Sequence, residues 1–174
     1  MRMLRSSILL TMALGAVAAL AQSNWQPGHT GIGFAQPHGG QQVQMVSPPD
    51  LMVNAGAHPH GQQDLTLRFA IQTGLHINSH TPHSAYLIPT TLTLEPTEGV
   101  EIAKIAYPPG ADYRFKFSPQ EALSVYAGEF SVLAPVRAQP GHYTLHGQLH
   151  YQACDNNSCD PPRILQVTLD VTAR

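Results

Sequence analysis

The chain has 174 residues, of which 11% are charged, and a formal net charge of −2. That balance leaves no basic patch of the kind nucleic acid requires, so nucleic acid is not expected as a partner. Histidine (10), proline (15) and glycine (14) are plentiful, which favours turns and short strands over long helices.

Arg2 and Arg5 precede an almost wholly apolar run from Ile8 to Leu20, and Ala19-Leu20-Ala21 supplies a small-x-small cleavage pattern. Residues 1–21 therefore read as a signal peptide with Gln22 as the first mature residue. The apolar run falls short of the roughly 20 residues that span a bilayer. No cysteine follows the cleavage site to carry a lipid. The mature protein is expected in the periplasm, soluble and not membrane-spanning. About 150 residues remain, enough for one domain with its own core.

Residues 22–42 are rich in Gly, Gln, His and Pro and show no periodicity, so they read as a flexible leader. From Val43 the pattern changes to strands. Val43 and Met45, then Leu51 and Val53, bracket a Pro48-Pro49 turn. Leu65, Leu67, Phe69 and Ile71 alternate with Thr66, Arg68 and Ala70, the period-2 pattern of a strand with one buried face. Gly74 to Ser79 leads into a loop through Pro82. Ile88, Thr90, Leu92 and Leu94 make the next strand, and Val100 to Tyr107 another.

Pro108-Pro109-Gly110 opens a loop in which Tyr113, Phe115 and Phe117 are spaced two apart. Ser118-Pro119-Gln120-Glu121 then fits a capping box, so a short helical turn is expected there. Tyr126, Phe130, Val132 and Val136 mark one strand, with Pro135 pointing to an edge or a bulge. Tyr143, Leu145, Leu149 and Tyr151 share one strand face; His142, His146 and His150 share the other. Leu165, Val167, Leu169 and Val171 alternate again. Some eight short strands, Pro/Gly turns and almost no helix read as a single β-sandwich.

The only two cysteines, Cys154 and Cys159, lie in the turn between the last two strands, within L-H-Y-Q-A-C-D-N-N-S-C-D-P-P. Such a pair can staple a turn, hold a metal or exchange electrons. As a staple it would contribute only roughly 2 kcal/mol, because the loop it closes is short. An exposed turn is also where an exchangeable bond can be reached. The residues alone leave redox exchange and a structural bridge equally open.

A copper or zinc site would need histidines such as His76 or His150 beside the cysteines. His142 and His146 are four residues apart, about 13 Å along a strand, too far for one ion. His58, His60, His76, His80 and His83 are better placed, in or near loops. No nucleophile elbow or carboxylate pair suggests a hydrolase.

Tyr151-Gln152-Ala153-Cys154, four residues, Cys159 and Pro161-Pro162 resemble the active-site segment of the N-terminal periplasmic domain of DsbD, the thiol:disulfide interchange protein. Gly74-Leu75-His76-Ile77-Asn78-Ser79 with Pro82, Leu87-Ile88-Pro89-Thr90, Pro108-Pro109-Gly110 and Tyr126-x-Gly128 follow in the expected order. The resemblance runs from about Val43 to Val171.

It implies an immunoglobulin-like β-sandwich with a redox-active pair at one end and no bound cofactor. Electrons would come from a thioredoxin-like donor and pass to periplasmic disulfide-bonded proteins, making the chain a thiol-disulfide oxidoreductase module. Cys159 would form the mixed disulfide and Cys154 would resolve it. A cap loop would shield the pair, with Phe115 and Phe117 as candidates. The chain ends at Arg174 without the membrane and thioredoxin-like domains of that family, so electrons are expected in trans. Asp155 and Asp160 flank the pair and are expected to disfavour a thiolate. The alternatives are a non-catalytic adaptor with a structural bridge, and a copper- or zinc-handling protein.

Overall fold

The computed structural model describes residues 39–47, 50–54, 62–115 and 118–174. The chain divides into two compact units, Met1–Phe34 and Ala35–Arg174, and every described residue belongs to the second. The signal peptide and most of the leader, with His29 and His38, lie outside the described residues, as do His58, His60 and Phe117.

The described residues form twelve strands: β1 Val43–Met45, β2 Asp50–Val53, β3 Gln63–Ile71, β4 His76–Asn78, β5 Thr91–Leu94, β6 Val100–Ile102, β7 Ala111–Phe115, β8 Ser118–Ala127, β9 Glu129–Ala138, β10 Gly141–Tyr151, β11 Ala153–Cys154 and β12 Arg163–Ala173. They assemble into three four-stranded sheets, ordered β1-β3-β9-β6, β2-β12-β10-β5 and β11-β4-β8-β7. The long ladders are antiparallel. β10 and β12 pair from Gly141↔Ala173 to Tyr151↔Arg163, and β3 and β9 from Gln63↔Val136 to Ala70↔Glu129.

The core is built from the alternating residues that the sequence marks. Leu67, Phe69, Val132, Leu145, Leu149 and Leu169 are fully buried. His142, His146 and His150 stand on the exposed face of β10. Burying one face of each strand against the facing sheet stabilises the sandwich by about 25 cal/mol per Å² of apolar surface.

Three local expectations change. No helical turn forms at Ser118-Pro119-Gln120-Glu121; these residues begin β8 and pair back on β7, with Phe115 opposite Ser118 and Tyr113 opposite Leu123. A single helical turn leaves its end groups unpaired and has an unfavourable nucleus. The hairpin instead pairs Ser118 with Phe115, and Arg114 Nη1 donates to the Pro119 carbonyl at 2.9 Å.

The apolar run from Tyr126 to Val136 is two strands rather than one. Gly128, at φ 67°, turns β8 into β9 in a conformation that L side chains rarely adopt. Pro135 sits in a strand flanked on both sides, yet on the flank where pairing lapses. β6 pairs only with Val136–Ala138, and the next bridge is Ala106↔Leu133. The Pro135 carbonyl there accepts from Ala103 N at 2.8 Å, and its missing amide leaves no ladder bond broken.

Candidate functional site

β10 and β12 run as a hairpin up to Tyr151↔Arg163, and the eleven residues between those two make an excursion. Its first part, β11, leaves that sheet and joins the edge of another: Ala153 pairs with Ile77 and Cys154 with His76 of β4. The chain then turns and brings Cys159 back opposite Cys154. The two form a disulfide with Cα atoms 3.9 Å apart.

Asp155 builds the turn between them. Its Oδ1 accepts from the backbone N–H of Asn157 (2.7 Å) and Ser158 (2.6 Å), and its own N–H donates to Ser158 O (2.9 Å). This is the Asx arrangement that Asp favours in turns. The outcome is an asymmetric pair. Cys154 is 0% exposed, while Cys159 lies at the surface.

Asp160 anchors the far side. It is only 4% exposed. Its N–H donates to Ala153 O at 2.8 Å, and its carbonyl accepts from Gln152 Nε2 at 3.0 Å. Its carboxylate accepts a hydrogen bond from Gln42 Nε2. Gln42, assigned on sequence to the leader, is therefore fully buried against the cysteine loop, and the ordered domain begins before Val43. Both flanking carboxylates accept hydrogen bonds, Asp155 from within the loop and Asp160 from Gln42, so part of the negative charge expected to oppose a thiolate is already engaged.

The opposite side is aromatic. The His76 ring stacks at a tilt on Tyr113, with centroids 4.2 Å apart, and lies 6.0 Å from Phe115. Tyr113 and Phe115 meet edge to face at 5.3 Å. The Tyr113 hydroxyl donates to Asn156 Oδ1 in the cysteine turn, so the β7–β8 hairpin is tied directly to the loop carrying the disulfide. His76 is 4% exposed. Burial holds its pKa below the usual histidine value, against an upward pull from Asp155.

Of the residues singled out on sequence, Cys154, Cys159 and Phe115 come together at this end of the domain. His76, named on sequence as a candidate metal ligand beside the cysteines, joins them too, and the missed members are Tyr113, Gln42 and Asn156. Tyr113 carried a signal in its spacing of two from Phe115; the others carried none that is local. His80 and His83 are engaged elsewhere, with ring nitrogens against Thr90 O (2.9 Å) and Ala122 O (3.1 Å). Among the described residues no three His, Cys, Asp or Glu side chains gather where one metal ion could be held. No described helix is long and apolar enough to cross a membrane.

The family model for the thiol:disulfide interchange protein DsbD, N-terminal, matches residues 42–170. The chain belongs to the DsbD N-terminal domain family. The match spans both cysteines and begins at the buried Gln42. Membership supports a role in thiol–disulfide interchange and an immunoglobulin-like all-β fold.

Solved structures with some likeness include the reduced N-terminal domain of Neisseria meningitidis DsbD, at 18% identity and TM-score 0.43, covering 62% of this chain and 76% of that one. The N-terminal periplasmic domain of ScsB from Proteus mirabilis gives 11% and 0.45, covering 75% and 44%. The Neisseria complex between the DsbD and PilB N-terminal domains gives 17% and 0.42, covering 68% and 88%. No curated protein matches the chain.

The Tyr113 clamp yields a first expected outcome. Tyr113→Ala removes a hydrogen bond to Asn156 and the stacking on His76, together about 1–3 kcal/mol against local opening of the turn. Reduction of the disulfide by dithiothreitol should then be faster by a factor of about 5 or more. Equal rates in wild type and variant, followed by the fluorescence change on reduction, would show that the hairpin shields nothing.

Proposed function

We propose that this chain is an exported thiol:disulfide interchange module that relays electrons through Cys154–Cys159. The observation that carries the reading is the unequal burial of the two cysteines within one short loop. A partner's thiolate can approach Cys159 and cannot approach Cys154.

In the reduced domain the Cys159 thiolate attacks a sulfur of the partner's disulfide, and the partner's other sulfur leaves as a thiolate. The Cys154 thiolate then attacks Cys159 Sγ, breaking the mixed disulfide and releasing the partner with both sulfurs reduced. Two electrons and two protons have moved to the partner. A thioredoxin-like dithiol recharges the pair by the reverse sequence, attacking Cys159 first. No bound cofactor takes part. The donor and the periplasmic acceptors follow from the family resemblance, and Tyr113 with Phe115 supplies the cap.

The deciding measurement is the reduction potential of the pair in glutathione or dithiothreitol buffers. The relay expects a value between about −180 and −270 mV. A value well below about −300 mV would mark a structural bridge and favour an adaptor role instead.

A further inference from the structure

We infer that His76 accepts the proton of the Cys154 thiol when that thiol resolves the mixed disulfide, an inference that rests on the redox reading of the pair. β4 and β11 are antiparallel, with Cys154 directly opposite His76. Side chains so paired lie on one face of the sheet, with Cβ atoms about 4.5–5.5 Å apart. The imidazole is thus the cross-strand neighbour of the one sulfur that solvent does not reach.

His76 Nε2 is buried and has no hydrogen-bond partner among the described residues. Leaving a buried polar atom unpaired costs about 1–3 kcal/mol. In the oxidised domain the neighbouring sulfur carries no proton and cannot donate. Reduction turns that sulfur into an S–H group, a donor appearing on the residue paired across the strands with the orphaned nitrogen's own. The Tyr113 hydroxyl is no substitute, since it donates to Asn156.

The titratable groups around His76 are few. Cys154 faces it from β11, Asp155 from the turn and Tyr113 from β7; its register partner on β8 is Ala127. Burial keeps the ring neutral near pH 7, with a lone pair free to accept a proton, and Asp155 stabilises the imidazolium once it forms.

The step balances. The Cys154 proton passes to the imidazole, and the sulfur bonds to Cys159 Sγ. The bond from Cys159 to the partner breaks, and the partner leaves with that electron pair as a thiolate, which then takes the proton. Cys154 and Cys159 end oxidised and the partner reduced.

Stopped-flow reaction of the reduced protein with the aromatic disulfide 5,5′-dithiobis(2-nitrobenzoate) separates the two attacks. Cys159 releases the first thionitrobenzoate and Cys154 displaces the second. In wild type the second release should rise with pH at a midpoint below the free-cysteine value of about 8.5. His76→Phe keeps a ring against Tyr113, and His76→Gln keeps a polar side chain that does not titrate.

Both variants should move the midpoint to about 8.5 or above and slow the second release relative to the first at pH 7 by at least about tenfold. A wild-type profile in either variant overturns the inference. So does an imidazole whose nitrogen resonances in the wild-type protein are unmoved on reduction, a readout that needs no variant to fold. A reduction potential below about −300 mV would sink the relay and leave this profile intact, so the two failures are distinguishable.

Discussion

Cys159→Ser is expected to abolish exchange, and Cys154→Ser to halt it half-way, at a mixed disulfide that accumulates. The asymmetry follows from access. Thiol–disulfide exchange needs the attacking thiolate to reach a sulfur in line with the bond it breaks. Cys159 is exposed, while Cys154 is 0% exposed and pairs with His76 of β4, whose ring stacks on Tyr113.

On the proposed relay, a partner sulfur should therefore bond at Cys159, and Cys154 should be the thiol that frees it again. With Cys154 replaced, the first attack proceeds and the covalent complex persists until an external thiol cleaves it. With Cys159 replaced, the remaining thiol is sealed, and no complex forms above background. Non-reducing electrophoresis after mixing with a disulfide-bonded protein, followed by dithiothreitol release, reads both outcomes. Trapping through the Cys159→Ser variant would reverse the roles assigned here.

The split between what was legible and what was hidden follows the range of the forces involved. Alternation in Leu65–Ile71, Tyr143–Tyr151 and Leu165–Val171 is imposed by burial of one strand face, so it is written locally and gave the sandwich and its longest strands. The cysteine turn was equally plain, because spacing and turn residues are local.

The capping pattern at Ser118 misled because backbone pairing with β7 outweighed a helical turn that nothing packs against. Gly128 sits within a segment whose Tyr126, Phe130, Val132 and Val136 read as one strand, and its φ of 67° is what turns the chain there. His76 was one of ten histidines. Its place opposite Cys154 depends on a β4–β11 register set by the whole fold, 78 residues apart in sequence. Gln42 looked like the end of a low-complexity leader, yet its amide reaches the carboxylate beside Cys159.

Phe69→Ala should destabilise the domain by about 3–5 kcal/mol, more than loss of the disulfide does. Phe69 is fully buried on β3 and stacks on Phe130 at 5.3 Å, which stacks in turn on Tyr126 at 4.6 Å. The Tyr126 hydroxyl donates to Pro108 O at 2.9 Å and accepts from His80 N at 3.1 Å, so this column fastens the strands beneath the site to the loops around it. Truncating Phe69 removes its transfer energy and leaves a cavity that the flanking sheet cannot close.

The Cys154–Cys159 bridge closes a far smaller loop, and chain entropy limits its contribution to roughly 2 kcal/mol. Urea unfolding with and without dithiothreitol, on wild type and on Phe69→Ala, compares the two directly. A domain whose stability resides in Phe69 and its neighbours can lose and regain the bridge at every turnover and stay folded, as an electron relay must. Should reduction cost more than the Phe69 truncation, the bridge would be holding the fold, and a pair that unfolds its own domain on reduction could not serve as the relay.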